Sequence, residues 1–460
     1  MKFKLSFHGA AGTVTGSRHL VETDRSKILI DAGLFQGLKK LRLRNWEPPA
    51  FDPLTLDHVI LTHAHIDHAG YLPRLVRGGF AGPVHCTRAT LDLAELILLD
   101  SAHIQEEDAA YANRKKFSKH SPAEPLYTTE DAEQALGLLV PHDYEEWFGL
   151  EEGIEARFFN AGHILGSAIV ELRVGRRTIV FSGDLGKDDM PIHPDPKPCP
   201  SDDILVVEST YGDRVHDDAP FVDQIRDAIL ETVKRGGTIL IPSFAVARSQ
   251  VVTFLLREAM KSGELPELPV HLDSPMAINA TKIYSRHLDT ENLDAEIVAD
   301  GRERLFPKNV SFHRSVQQSK DLNLLKGPRI IISASGMLTA GRVVHHLRRL
   351  APHEENLILL VGYQAMGTRG RSLLDGAKTI RMHGRDIPVK ARHFAVHGLS
   401  AHADRNELLK WVRSAPGIQN RIFVVHGEPD SSRSFADLLE AELGTRVDIP
   451  ELGDSFDFED

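Results

Sequence analysis

Short apolar runs rich in β-branched residues recur along the chain, most of them closed by a polar residue, a glycine or a histidine. Those at 28–30, 59–61, 178–181, 204–207, 238–241, 329–332, 357–360 and 422–425 are continuous rather than alternating. A strand reads this way when both of its faces are covered, so these runs predict sheets buried between other layers. Apolar positions at helical spacing fall instead in 89–112, 220–235, 248–262 and 404–412. Strands and helices together give an α/β fold class. A weak internal echo appears in the first two-fifths. Gly16-Ser17 precedes a strand pair ending at Asp31, and Gly166-Ser167 precedes one ending at Asp184. The acidic end, 454–460 (DSFDFED), is expected to fray.

Composition narrows this picture only modestly. A chain of 460 residues predicts two or three domains. The formal charge of −11 argues against a broad nucleic-acid-binding face while leaving room for a local basic groove. Cys86 and Cys199 are the only cysteines, which excludes a disulfide framework and a thiolate zinc site. No apolar run approaches the roughly 20 residues needed to span a bilayer. The opening Met-Lys-Phe-Lys-Leu-Ser-Phe reads as a first strand rather than a signal peptide, so the expected location is cytoplasmic.

Candidate chemistry concentrates at His63-Ala64-His65-Ile66-Asp67-His68, entered from the apolar run that begins at Val59. Extended residues two apart point the same way, so His63 and His65 can share one metal ion. The chain is then expected to turn into a helix in which Asp67 and His68 form a second pair. A helix N-terminus disfavours protonated imidazole and keeps His68 ready to ligate. Two adjacent ions suit this split better than one. Asp31, His163, Asp184 and His426 each follow an apolar stretch, and ligands in α/β sheets collect at the carboxyl ends of strands.

The set Asp31, His63, His65, Asp67, His68, His163 and Asp184 resembles the two-zinc hydrolases of the metallo-β-lactamase fold. The following chain resembles the β-CASP nucleases. The marks are Glu208 in Val-Val-Glu-Ser-Thr, His402 in Leu-Ser-Ala-His-Ala-Asp and His426 in Val-His-Gly-Glu. Supporting runs lie at 242–248, 273–277, 333–337 and 362–371. The likeness is greatest to the bacterial and archaeal homologues of the pre-mRNA 3′-end cleavage endonuclease subunit, and a histidine at the last motif is typical of RNA-acting members.

That resemblance implies a metallo-β-lactamase αββα sandwich with an inserted α/β β-CASP domain. The sandwich would comprise 1–210 and 393–460, the insert 211–392, and RNA would run in a cleft between them. His63, His65 and His163 would hold one zinc, and Asp67, His68 and His426 the other, bridged by Asp184. Nitrogen and oxygen ligands suit Zn²⁺, with Mn²⁺ the alternative. Asp31 would orient a ligand or the attacking water. His402, supported by Glu208, would protonate the departing 3′-oxygen, leaving 5′-phosphate and 3′-hydroxyl ends. Ser335, Gly336, Arg248, Arg369 and Arg371 are the candidate RNA contacts. A run of four cations, Lys39-Lys40-Leu41-Arg42-Leu43-Arg44, follows the Asp31 loop and reads as either a solvated face or a further RNA contact. The expected activity is an endoribonuclease, with a 5′-exoribonuclease or a small-molecule ester or amide hydrolase as alternatives. RNA is the expected partner. No membrane and no protein partner are called for, and a homodimer is left open.

Overall fold

The computed structural model describes all residues except 117, 218, 302–308, 363, 365, 383 and 460. Tyr363 and Ala365 of the 362–371 run therefore lie outside the described residues. The chain divides into two compact units, Met1–Val215 with His402–Asp460, and His216–Ala401. The return to the first unit comes at His402 rather than at residue 393, because the strand Arg392–Ala395 pairs with Leu357–Leu360 and closes an edge of the second unit's sheet.

The first unit contains two seven-stranded sheets. One runs Ser455–Glu459, Lys2–Phe7, His19–Thr23, Lys27–Ile30, His58–Ile60, Val84–Thr87, Leu139–His142. The other runs Val447–Asp448, Arg421–Val425, Ile204–Glu208, Arg177–Phe181, Ala168–Val174, Ile154–Asn160, Phe148–Glu151. Their inner faces share one core in which Phe7, Val21, Ile28 and Ile60 meet Phe158, Val170, Phe181 and Phe423. Each such side chain removed from water contributes about 1.5–3 kcal/mol, before the entropy of ordering it is subtracted. Outside the second sheet, Leu408, Trp411, Val412, Phe435 and Leu439 from helices Arg405–Arg413 and Pro429–Leu443 cover Val180, Leu205 and Val424. Asp404 starts the first of these helices with a reciprocal capping box to Glu407. Helix Arg88–Lys115 packs beside Val84–Thr87 on the other sheet, which completes the αββα layering.

The acidic end does not fray. Ser455–Glu459 pairs antiparallel with Lys2–Phe7, and Phe458 stacks on Phe3 with centroids 5.1 Å apart. Its charged residues conceal a period-two alternation that points Phe456 and Phe458 toward the core.

Strand direction positions the chemistry. Arg177–Phe181, Ile204–Glu208 and Arg421–Val425 are mutually parallel, as are Lys27–Ile30 and His58–Ile60 in the other sheet. A candidate site residue lies at or within three residues of the carboxyl end of each.

The second unit is built on six parallel strands in the order Val310–Phe312, Val270–Leu272, Arg329–Ser333, Thr238–Pro242, Leu357–Leu360, Arg392–Ala395. Val343 and Leu347 of helix Arg342–Leu350 pack onto Leu240, Ile331 and Ile358 of this sheet. A hairpin, Thr379–Met382 with Arg385–Pro388, stands apart from the sheet. Among the described residues, no helix is long and apolar enough to cross a membrane.

Candidate metal centre

His63 follows the strand His58–Ile60, and the chain then forms two short helices, Ile66–Ala69 and Leu72–Arg77, rather than one. The loop after Asp31 lies along this turn: the Ala32 and Leu34 amides donate to the His68 and Ile66 carbonyls at 2.7 and 2.9 Å. Gly33 permits the approach, since a Cβ there would sit 1.7 Å from the Asp67 carbonyl oxygen. Asp31 and His426 both adopt left-handed backbone, with φ of 61° and 50°. That turns each side chain sharply off the end of its strand, a conformation Asp and His tolerate better than most residues.

Two groups of donor atoms result. In the first, His65 Nδ1 lies 3.0 Å from His63 Nε2 and 3.2 Å from His163 Nε2. Asp184 Oδ2 faces this trio, 3.5 Å from His63 Nε2 and 3.6 Å from His163 Nε2. In the second, His68 Nε2 lies 3.1 Å from His426 Nε2, with Asp67 Oδ2 3.8 Å from the latter. Asp184 Oδ1 is 3.2 Å from His68 Nε2 but accepts no hydrogen bond, although it is buried.

Neighbouring residues fix which imidazole nitrogens carry protons. Thr62 Oγ1 donates to Asp31 and so can only accept from His63 Nδ1, at 3.1 Å. Asp31 Oδ2 accepts from His68 Nδ1 at 2.7 Å. Thr210 Oγ1 donates to the His426 carbonyl and accepts from His426 Nδ1, both at 3.2 Å. In each case the lone pair left over is on Nε2, and the three Nε2 atoms point into the two donor groups. Lone pairs aimed at one another, beside a buried carboxylate oxygen with no donor, leave the charge uncompensated unless a cation sits among them. The donor set therefore fits divalent metal. Thr62 and Thr210 were not singled out from the sequence, although one directly precedes His63 and the other follows Glu208 by two residues.

The electrostatics divide. Burial opposes a charged His68, but Asp184 and Asp31 outweigh it and hold this imidazole well above its ordinary value, so that a metal ion would have to displace a proton there. Burial opposes a charged Asp184, but the surrounding imidazoles of His426, His68, His402 and His63 outweigh it and hold the carboxyl well below the usual range. Burial and the neighbouring His68 push His63 well down, which favours the neutral, ligating form.

His402 and Glu208 stand beside this centre. Glu208 is fully buried, accepts from the Leu185 amide at 2.6 Å, and faces His402 Nδ1 with both oxygens at 3.2 Å. The His402 side chain is 21 % exposed and its Nε2 lies 4.0 Å from Asp184 Oδ2. Burial works to lower the His402 pKa, but Glu208 and Asp184 outweigh it and raise it to about 9. All nine of these site residues belong to the first unit, as does Asp31.

The candidate RNA contacts belong to the second unit. Ser335 Oγ hydrogen bonds Thr339 Oγ1 at 2.9 Å, and Gly336 packs beside Phe244. Arg369 donates to the Leu338, Thr339 and Arg381 carbonyls, so its guanidinium braces this turn. Arg371 pairs with Asp375 at 2.9 Å on the surface, and Arg248 opens helix Arg248–Lys261.

Sequence profiles divide the chain in the same order as its architecture. The metallo-β-lactamase superfamily matches residues 12–221, the Beta-Casp domain residues 249–373, and the Zn-dependent metallo-hydrolase RNA specificity domain residues 386–450. Ribonuclease TTHA0252 of Thermus thermophilus is 37 % identical over 97 % of this chain and 98 % of its own length. The chain belongs to the β-CASP family of metallo-β-lactamase-fold RNA nucleases. Within that family, transcription termination factor FttA of Methanocaldococcus jannaschii is 33 % identical over 97 % of this chain and 70 % of its own. An RNase J-like protein of the same organism is 30 % identical over 98 % of both chains. A crystal structure of a protein of unknown function from Enterococcus faecalis shares the fold, with a TM-score of 0.55 at 16 % identity over both full chains. The β-CASP family member described here is thus a zinc-dependent metallo-hydrolase by its domains, and its donor set is one that a divalent metal fits.

Proposed function

We propose that this protein is a two-zinc endoribonuclease that hydrolyses RNA phosphodiester bonds in the cytoplasm and leaves 5′-phosphate and 3′-hydroxyl ends. One observation carries the reading. Two donor groups meet at the opposite oxygens of Asp184, with the His402–Glu208 pair alongside. His63, His65 and His163 would hold one ion and Asp67, His68 and His426 the other. When bound, a divalent pair supplies a water of lowered pKa and neutralises the non-bridging phosphate oxygens.

The protein's own groups do the rest. Glu208 keeps the His402 Nδ1 proton, so the proton available for transfer sits on Nε2, the atom nearer Asp184. His402 gives that proton to the departing 3′-oxygen and returns to neutral imidazole with its Nδ1–H still on Glu208. Asp31, Thr62 and Thr210 keep the ligands in the correct tautomer throughout.

The test uses zinc-loaded protein, a 5′-labelled RNA and metal analysis. Internal fragments are expected, with His402→Ala lowering kcat by about 10³-fold while both zincs are retained. Released mononucleotide would replace the endonuclease with a 5′-exonuclease. No RNA cleavage by protein holding two zincs, together with turnover of a small ester, would sink the reading.

A further inference from the structure

The four-cation run that follows the Asp31 loop forms the helix Lys39–Arg44, with no buried residue. Its inner side is anchored by Asn45, which is buried and exchanges hydrogen bonds with the Phe35 amide and carbonyl at 2.9 and 2.8 Å. Phe35 in turn lies between the guanidiniums of Arg18 and Arg44, 5.1 and 5.5 Å from its centroid. Lys39, Arg42 and Leu43 are spaced three and four residues apart on one face of this helix, and the exposed Trp46 follows in the turn after it, its amide donating to the Leu43 carbonyl at 3.0 Å.

Leu38, Leu43 and Trp46 are 51 %, 51 % and 53 % exposed. Among the described residues, no carboxylate pairs with Lys39, Lys40, Arg42 or Arg44, although the chain carries a formal charge of −11. Unpaired cations around an exposed indole make a platform on which a base stacks while its phosphates are neutralised. The location is also specific. Residues 31–35 span at most about 14 Å and are hydrogen bonded to the metal-ligand turn, and Asn45 holds the platform to Phe35 at the end of that loop, so it stands within a few nucleotides of the candidate centre.

We infer that Lys39, Lys40, Arg42 and Trp46 form an accessory site that grips single-stranded RNA beside the scissile bond. The inference rests on the ribonuclease reading for its choice of ligand. A helix of six residues offers too little apolar face to anchor at a membrane, whereas one stacked base and three phosphates match its size.

The test measures binding and cleavage of labelled oligouridine separately, on the full zinc-loaded chain. Lys39→Ala/Lys40→Ala/Arg42→Ala is expected to weaken binding about tenfold at low salt. It should also flatten the slope of log affinity against log salt by about 2, from about 0.7 per lost phosphate contact. Trp46→Ala is expected to cost about fivefold or more. RNA should quench tryptophan fluorescence in the wild type, and Trp46→Phe should abolish the quenching. Removing three exposed lysines elsewhere, Lys116, Lys234 and Lys261, controls for net charge. Wild-type affinity and salt slope in the triple and Trp46→Ala variants would overturn the inference and leave the ribonuclease reading intact. Platform-dependent binding without any cleavage would do the reverse. Loss of binding to phosphatidylserine vesicles in the variants, with RNA binding unchanged, would overturn it in favour of a lipid surface.

Discussion

Each unit buries an aspartate among histidines at the carboxyl end of a strand, and the two clusters behave oppositely. In the second unit, Asp273 is fully buried yet completely served. Ser319 Oγ donates at 2.5 Å and His346 Nε2 at 2.6 Å to one oxygen, and Arg342 Nη1 at 2.7 Å to the other. In the first, Asp184 Oδ1 accepts nothing and imidazole nitrogens face one another at 3.0–3.2 Å. Residue type does not separate a structural network from a ligand site; hydrogen-bond satisfaction does.

Substitution should break the symmetry between them. Asp184→Asn is expected to remove metal and lower RNA cleavage by about 10⁴-fold, near 5.5 kcal/mol, read by metal analysis and kcat/KM. Asp273→Ala should leave metal content unchanged and instead cost about 1–3 kcal/mol of stability, because the buried His346 and Ser319 lose their acceptor and the half-buried Arg342 its carboxylate. Chemical denaturation distinguishes the two outcomes. A smaller effect is expected at the support level. Asp31→Ala should weaken zinc binding about 10–100-fold by releasing the His68 tautomer, measured by competition with a chelating dye.

The gentlest probe is acid. Burial opposes ionisation of Asp273, but its bonds to His346, Ser319 and Arg342 hold the pKa below the ordinary value. A depressed folded pKa contributes stability that is complete above the unfolded value near 4 and lost as the pH falls further. Stability of the Asp273→Ala variant should therefore converge on that of the wild type below about pH 4, as judged by urea midpoints.

Much of the candidate metal centre is legible in the sequence because its donors are local. Six consecutive residues supply four donors, Asp31 directly follows an apolar run, and Asp184 comes three residues after another. All eight continuous apolar runs become strands, since fully buried strands need no partner to be recognised. What stayed hidden depends on long-range placement. The Asp273 network joins residues 46 to 73 positions apart. His58, His85 and His142 form an imidazole chain, at 3.1 and 2.9 Å, only because three strands lie side by side. The acidic strand Ser455–Glu459 is hard to see in sequence for a different reason: its charges mask a clean alternation.

His68 and His426 meet at 3.1 Å although 358 residues separate them in sequence. A ribosome making this chain at about 5–20 residues per second emits the first donors tens of seconds before the last. Between the emergence of His163 and that of His402, the nascent chain holds His63, His65 and His163 but lacks both His402 and His426. The proposed nuclease is thus unarmed through that stretch of synthesis, and becomes competent only once His402 and His426 have emerged.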